Sequence, residues 1–284
     1  MRFDCNLKPS WCPGCGNYSI LDCLKKALED LGLNPHEVIS VSGIGQAAKT
    51  PHYINTNGFN GLHGRGISPA VGMKIANKDL VVIVNSGDGD SLGEGGNHTI
   101  HNMRKNIDIT HFMHNNQIYG LTKGQGSPTT AFGQITTMQL DGVISQPLNP
   151  IALSIISGAT FVARSFSGDK NHLIQIMKAA ILHKGYSFVD IMQPCVVFNK
   201  VNTYKWYKEH LYEIPNNHDK SNKLKAIEIA LNQEIDEKIP MGIFYEVEKP
   251  TYIDLIPNIK NNVPLVDLHL KPSKVDSLIE EFIY

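Results

Sequence analysis

Two polar motifs of the chain combine glycine, carboxylate and amide residues directly after apolar runs. The first is Val84-Asn85-Ser86-Gly87-Asp88-Gly89-Asp90, and the second is His114-Asn115-Asn116-Gln117-Ile118-Tyr119-Gly120. Glycines let a backbone approach a phosphate closely, and the amides that follow can point at it. Asp88 offers the hard oxygen that Mg²⁺ prefers, while Asn116 can supply a side-chain carbonyl and Ile118 a backbone carbonyl. The motifs therefore predict a phosphate site that also binds Mg²⁺.

The spacing of the two motifs favours this interpretation over a simpler one. Taken alone, Gly-Asp-Gly is more often a turn, and an Asn-Asn pair is more often a helix cap. Here Asp88 and Asn116 are 28 residues apart, and each follows a predicted strand, Leu80–Val84 or Ile107–His114. Because open α/β sheets bind ligands at the carboxyl ends of their strands, neighbouring strands would bring these side chains together.

The surrounding elements are typical of a doubly wound α/β domain with a mostly parallel sheet. β-Branched runs favour buried strands, and apolar residues three to four positions apart favour helices. Four helices are predicted: 17–31, a helix from an N-cap at Ser68 to Ala76, Gly95–Arg104, and a helix between the cap Asp169 and Gly185. The predicted strands are Val38–Ser42, Leu80–Val84, Ile107–His114, Phe161–Arg164 and Ser187–Met192. Their alternation predicts an α/β domain over 1–199. Residues 200–284 are expected to form an irregular C-terminal extension, packed on this domain or on a partner subunit.

Composition and charge exclude several classes of protein. The chain has 284 residues, 42% of them hydrophobic, with 26 Lys and Arg against 27 Asp and Glu, as in a folded globular protein. A net charge of −1 gives no basic footprint for nucleic acid, and no polybasic run favours a membrane surface. No apolar run is long enough to cross a membrane, and the first residues lack the apolar centre of a signal peptide. We therefore expect a cytoplasmic protein.

The two motifs are similar to the signature of thiamine diphosphate enzymes, in which Gly-Asp-Gly is followed further along the chain by an asparagine. Other segments occur with them in one order: Trp11-Cys12-Pro13-Gly14-Cys15-Gly16, Ser42-Gly43-Ile44-Gly45, His63-Gly64-Arg65, Gly96-Asn97-His98, Leu121-Thr122-Lys123-Gly124-Gln125, Ser127-Pro128-Thr129 and Gln193-Pro194-Cys195-Val196-Val197-Phe198-Asn199. Over about residues 8–210 the chain resembles the β subunit of 2-oxoacid:ferredoxin oxidoreductases, in the branch that includes the 2-oxoglutarate oxidoreductases. The fold that this implies is the diphosphate-binding domain of a thiamine diphosphate enzyme.

The resemblance implies a site for thiamine diphosphate and Mg²⁺. Asp88, Asn116 and the Ile118 carbonyl match the Mg²⁺ ligands. The positions that match the surroundings of the diphosphate are Gly87, Gly89, Asp90, Gly120 and Leu121, and those that match the wall of the cofactor pocket are Ile44, Gly45, Gln46, Ala47 and His63. The alternative for the histidine is a satisfied core residue, but its His-Gly-Arg context favours the pocket.

The family reaction is the oxidative decarboxylation of a 2-oxoacid with coenzyme A, which yields an acyl-CoA, CO₂ and reduced ferredoxin. The acid that activates the thiamine ring comes from a second, pyrimidine-binding domain in such enzymes. Most of this chain is accounted for by the diphosphate half, so the resemblance implies a partner α subunit and an active site between the two chains. Ferredoxin, coenzyme A and the 2-oxoacid are the other implied partners.

Three of the five cysteines match ligands of a 4Fe–4S cluster in the family: Cys12, Cys15 and Cys195. The position of the fourth family cysteine is occupied by Gln46. Four thiolates are the usual ligand set, and a neutral amide is a poor substitute. Either Cys5 or Cys23 completes the set, or another kind of ligand does, or the cluster is lost; the simplest alternative is that the thiols are relicts or bind zinc.

Cationic residues within the motifs are candidates for contact with the substrate. Lys49 and Lys123, with His63, are the candidate catalytic residues, because cations pair well with the carboxylate of a 2-oxoacid or with coenzyme A. For a single lysine, a solvated or salt-bridged surface position is the alternative. Arg65 is a third cation of this kind.

Two other functions remain open at this point. A non-oxidative thiamine diphosphate decarboxylase half-enzyme would explain the altered cluster position, although such an enzyme has no use for the three cysteines. A non-catalytic, cofactor-binding subunit would have no need of the Asp88 and Asn116 pair. A dinucleotide site is disfavoured, because no Gly-x-Gly-x-x-Gly opens a helix after the first strand.

Overall fold

A computed structural model describes residues 2–232, 238–260, 263–268, 279–280 and 283 of the chain. Its centre is an eight-stranded sheet in the order β2-β1-β3-β4-β6-β5-β8-β7. The strands are β1 (Val38–Ser42), β2 (Asn57–Asn60), β3 (Val81–Gly87), β4 (Ile109–Asn115), β5 (Phe161–Phe166), β6 (Tyr186–Met192), β7 (Leu211–Glu213) and β8 (Ile239–Glu246). All neighbouring strands are parallel except β5 and β8, which are antiparallel. The predicted doubly wound, mostly parallel sheet is thereby confirmed.

Helices cover both faces of the sheet. They are α1 (Gly16–Asp30), α2 (Ile67–Ala76), α3 (Gly96–Arg104), α4 (Pro150–Ser157), α5 (Lys170–Leu182), α6 (Tyr204–His210), α7 (Lys223–Leu231) and α8 (Pro257–Lys260). One apolar core lies between the sheet and α2, α3, α4 and α7, and a second lies between the sheet and α1 and α5. Because successive residues of a strand point to opposite faces, Phe161 packs in the second core and Val162 in the first. Burial on both faces explains the continuous apolar strands.

Most predicted elements are found with small shifts at their ends. The strand predicted over Leu80–Val84 continues to Gly87, because β3 keeps pairing with β4 up to Gly87 opposite His114. The predicted N-cap at Ser68 is wrong: α2 begins at Ile67, and the Ser68 hydroxyl instead lies 2.9 Å from His98 Nδ1. A long-range hydrogen bond thus replaces the local cap.

The predicted cap of α5 is confirmed, since the Asp169 carboxylate accepts a hydrogen bond from the His172 amide at 3.1 Å. Asp169→Ala leaves that amide without its partner, and we expect it to lower the free energy of unfolding by about 1 kcal/mol. Asp169→Asn is the matched control, because asparagine also caps helices. Urea unfolding checks this, and an equal loss in both variants would contradict a capping role.

Residues beyond 199 contribute two strands to the same sheet. β8 pairs with β5, with an irregularity between Val162 and Ala163, and β7 pairs with β8 and forms the edge of the sheet. The aromatic residue Tyr207 of α6 is buried with Phe166, Met192 and Met241 in a small third core. A boundary between a domain and an extension at residue 199 stays a prediction. Within the described part of the chain, no helix is long and apolar enough to cross a membrane.

Candidate cofactor site

The two polar motifs meet at one edge of the sheet. β3 and β4 are neighbouring parallel strands whose register places Gly87 opposite His114, so both strands end at the same level. Asp88 directly follows β3, and Asn116 directly follows β4. The parallel register is therefore what brings together two residues that are distant in sequence.

A cavity of about 350 Å³ opens at this edge. Every residue predicted to bind Mg²⁺ or to surround the cofactor lines it: Ile44, Gly45, Gln46, Ala47, His63, Gly87, Asp88, Gly89, Asp90, Asn116, Ile118, Gly120 and Leu121. Ligand pockets commonly have volumes of about 300–1,000 Å³. Lys49 and Lys123 do not line the cavity; Lys49 Nζ lies 3.4 Å from Ser10 Oγ, and Lys123 is exposed. Their contact with substrate stays a prediction.

Asp88 is a buried carboxylate that lines this cavity. Its Oδ2 accepts hydrogen bonds from the hydroxyls of Ser127 and Thr129, the latter at 2.7 Å. Burial raises the pKa of the Asp88 carboxyl to about 6, although these hydroxyls oppose the shift. Desolvation disfavours the charged form of a carboxylate. A divalent cation bound next to the carboxylate offsets this cost.

Asp90 connects three loops around the cavity. Its Oδ1 accepts hydrogen bonds from the amides of Ile44 and Gly64, at 3.0 and 2.7 Å. Burial raises the pKa of this carboxyl as well. Gly64 has φ of +66°, and a Cβ there would lie 2.4 Å from the carbonyl carbon of Glu94, so only glycine fits. The side chain of Asp90 thus has a structural role in addition to its predicted place beside the diphosphate.

Asn116 and Ile118 form a tight turn at the end of β4. The Asn116 Oδ1 accepts a hydrogen bond from the Ile118 amide at 3.0 Å, and Gln117 between them has φ of +57°. A carbonyl oxygen has two lone pairs, so this bond leaves one for a metal ion. The turn therefore fixes the orientation of the amide that is predicted to bind Mg²⁺.

The cavity also has lining residues that were not predicted to be part of the site: Glu94, His114, Tyr119, Thr122 and Gln125. The Tyr119 ring packs over Gly89, where a Cβ would lie 2.2 Å from it, and burial raises the pKa of its hydroxyl. His114 Nδ1 lies 2.7 Å from Asn17 Oδ1, and burial lowers the pKa of this histidine to about 3. The signal for both was present, since each stands within the second motif.

The cysteines line a second, smaller cavity next to the first. This cavity of about 30 Å³ is bordered by Cys12, Cys15, Cys195 and Gln46, and Gln46 also lines the larger cavity. Burial raises the pKa of the Cys15 thiol, and the two neighbouring cysteines add to the shift. In the described residues, no three His, Cys, Asp or Glu side chains lie close enough to share a single metal ion.

Comparisons with known proteins agree with this geometry. Residues 39–191 match the family model of the thiamine pyrophosphate enzyme, C-terminal TPP binding domain, which covers more than half of the chain. Residues 195–261 match the family model for the C-terminal part of the pyruvate ferredoxin oxidoreductase beta subunit. The second match extends beyond residue 210, where the resemblance in the motifs ended.

Two individual relatives, both named as β subunits of 2-oxoacid:ferredoxin oxidoreductases, match the chain over most of their length. The chain is 46% identical to 2-oxoacid:ferredoxin oxidoreductase 1, subunit beta, of Aeropyrum pernix, over 83% of this chain and 77% of the relative. It is 40% identical to 2-oxoacid:ferredoxin oxidoreductase subunit beta of Saccharolobus solfataricus, over 96% of this chain and 95% of the relative.

A solved structure supports the same relationship. The 2-oxoglutarate:ferredoxin oxidoreductase from Magnetococcus marinus, with 2-oxoglutarate, coenzyme A and succinyl-CoA bound, superposes with a TM-score of 0.86 at 35% identity, covering 88% of this chain and 85% of that chain. With two matching family models and relatives above 30% identity over most of their length, the chain belongs to the family of thiamine diphosphate-binding β subunits of 2-oxoacid:ferredoxin oxidoreductases.

Proposed function

We propose that this chain binds the diphosphate of thiamine diphosphate through Mg²⁺ and, with an α subunit, oxidatively decarboxylates a 2-oxoacid with coenzyme A, reducing ferredoxin. The main observation in support is that Asp88 and Asn116 follow the ends of two neighbouring strands and line the same cavity of about 350 Å³. When bound, thiamine diphosphate supplies the carbanion-stabilising chemistry of the reaction.

The residues of the cavity fit the cofactor in kind and position. The Ser127 and Thr129 hydroxyls hold Oδ2 of Asp88, so we assign Oδ1 to Mg²⁺, together with Asn116 Oδ1 and the Ile118 carbonyl. These oxygens are the hard ligands that Mg²⁺ prefers, and phosphate and water complete its octahedron. Asp90 holds the amides of Gly64 and of the cavity residue Ile44 in place.

We propose that Cys12, Cys15 and Cys195 bind an iron–sulfur cluster, the route by which single electrons leave toward ferredoxin. The support is that their thiols border one cavity, which shares Gln46 with the cofactor cavity. Two redox groups on either side of one shared wall are suited to electron transfer over a short distance.

The partner surface is proposed to be the apolar segment 132–148, which follows the cavity residue Leu121. Its exposed side chains are Phe132, Ile135, Met138, Leu140, Ile144 and Leu148. So many exposed apolar residues mark an interaction surface. The occupant that we propose is the α subunit, whose pyrimidine-binding domain must reach the cavity to complete the site.

Ile144→Glu tests this surface, because the Ile144 side chain is 86% exposed and its replacement should not affect the fold. We expect the affinity for the α subunit to fall at least about tenfold, since a charge would be buried at the interface. Leu182→Glu is the matched control. This exposed leucine ends α5 just before the start of β6, whereas the cavity lies at the other ends of the strands. Pull-down titration that shows the same effect for both variants would reject the assigned surface.

The function is tested by co-expression with the α subunit and an assay of ferredoxin reduction with 2-oxoacids and coenzyme A. We expect reduction that requires both a 2-oxoacid and coenzyme A. Release of CO₂ with no electron acceptor reduced would instead support the non-oxidative decarboxylase, for which Gln46 at the cluster position is the motivating observation.

A further inference from the structure

The small cavity beside the cysteines contains three buried polar atoms without a hydrogen-bond partner. They are Gln46 Oε1, Gln193 Oε1 and Asn17 Nδ2, and all three residues line this cavity. Leaving a buried donor or acceptor unsatisfied costs about 1–3 kcal/mol, so three such atoms at one place point to a group that binds there.

The orientation of Asn17 shows what one of these atoms requires. The Nδ1 atom of the buried His114 lies 2.7 Å from Asn17 Oδ1 and donates to it in this arrangement, because an amide oxygen can only accept. Asn17 Nδ2 therefore faces the cavity as a hydrogen-bond donor. A donor is satisfied by an anionic acceptor such as sulfur and not by a metal ion.

Gln46 offers the opposite kind of atom. The Trp11 indole N–H donates to its backbone carbonyl at 2.8 Å, and the residue lies on the wall between the two cavities. Its buried Oε1 is an acceptor that a metal ion or a donor can satisfy. Gln193 differs, because its Nε2 lies 3.5 Å from Cys15 Sγ and directs this side chain to a sulfur atom.

A cluster of iron and sulfide satisfies both kinds of atom, whereas a single ion satisfies only the acceptors. The ligands of one tetrahedral zinc would lie within about 4 Å of one another, given Zn–S distances of about 2.3 Å. Across the described ranges, no three His, Cys, Asp or Glu side chains converge in this way. This disfavours zinc.

The remaining cysteines do not reach the cavity. Cys23 is a buried residue of α1, and its Sγ lies 3.8 Å from the Lys170 carbonyl. Cys5 Sγ lies 3.5 Å from the His52 carbonyl. Neither residue lines the cavity, so neither supplies a fourth ligand here.

We propose that Oε1 of Gln46 is the fourth ligand of the cluster bound by Cys12, Cys15 and Cys195. This inference rests on the proposed function, which assigns the cluster to these cysteines. A neutral amide in place of a thiolate removes one negative charge from the cluster, which raises its reduction potential. It also makes one iron more easily lost than the other three, because an amide oxygen is a weaker ligand for iron than a thiolate.

The test compares four forms of the anaerobically purified complex with the α subunit: wild type, Gln46→Ala, Gln46→Cys and Gln193→Ala. The iron content of this site is the iron content of each form minus that of the same complex carrying both Cys12→Ala and Cys15→Ala. Mössbauer and electron paramagnetic resonance spectra identify the cluster type, and a redox titration measures its potential.

We expect about four irons per β chain in the wild type. Gln46→Ala should lose one of them and give the spectrum of a three-iron cluster. Gln46→Cys should keep all of them and lower the potential. Gln193→Ala, which removes a hydrogen bond to Cys15 Sγ but no ligand, should also keep all of them.

Two outcomes would overturn the inference, and they are distinguishable. If the wild type holds the iron but Gln46→Ala leaves both iron content and spectra unchanged, Gln46 is not a ligand, while the proposed function stands. If the wild type holds thiamine diphosphate but no iron at this site, the cluster itself is absent, and a buried water molecule, for which about 30 Å³ is sufficient, satisfies the three atoms.

Discussion

Asp88→Ala should abolish Mg²⁺-dependent binding of thiamine diphosphate. The substitution removes a carboxylate ligand together with the acceptor of the Ser127 and Thr129 hydroxyl bonds. Loss of a residue that only supports a metal ligand commonly costs 10–100-fold in affinity, so we expect loss of the ligand itself to cost at least about 100-fold, or about 2.7 kcal/mol. Calorimetric titration of the purified complex with thiamine diphosphate, with and without Mg²⁺, measures this.

Two further variants separate metal binding from effects on folding. Asp88→Asn keeps the shape of the side chain but removes its charge, so it should also lose most of the affinity. Asp79→Ala removes an exposed aspartate in the turn before β3 and should bind like the wild type. An Asp88→Ala protein that folds and binds the cofactor with unchanged affinity would refute the assigned metal site.

Asp190→Ala should destabilise the fold strongly. Its carboxylate accepts a hydrogen bond from Arg164 Nε at 2.9 Å and another from Asn115 Nδ2 at 2.9 Å, and both charged side chains are at most 2% exposed. Removing one partner of a buried ion pair leaves the other charge uncompensated, which costs about 3–5 kcal/mol. We expect a loss of that size in the free energy of urea unfolding.

An exposed ion pair of the same length provides the control. Lys170 Nζ and Asp22 Oδ2 are also 2.9 Å apart, but their side chains are 56% and 54% exposed. Because solvent screens such pairs, Asp22→Ala should change the stability by less than about 1 kcal/mol. Similar losses in Asp22→Ala and Asp190→Ala would show that burial does not determine the contribution of the ion pair.

Features that depend on neighbouring residues in sequence were the most predictable from the sequence. The Asp169 cap and the alternation of strands and helices follow from local propensity and apolar periodicity, and both are confirmed. The positions of Asp88 and Asn116 were also predictable, because a parallel sheet aligns the carboxyl ends of its strands.

Features that depend on contacts between distant residues were less predictable. β8 contains Pro240 and Gly242, which weaken a strand signal, and it forms because the edge of β5 is available for antiparallel pairing. The unpredicted π-helical turn Gly89–Glu94 lies where the Tyr119 ring packs over its glycines. The positions of Lys49 and Lys123 outside the cavity follow from loop conformation, which motif membership does not specify.

The cofactor content of the purified complex tests the central claim most directly. The chain should be co-expressed with its α subunit, purified in the presence of Mg²⁺ and analysed for thiamine diphosphate by chromatography after denaturation. The structure and the family relationship predict about one thiamine diphosphate per β chain, lost on treatment with a chelator and restored by Mg²⁺ with added cofactor. A correctly assembled complex that neither contains nor takes up thiamine diphosphate would contradict the account.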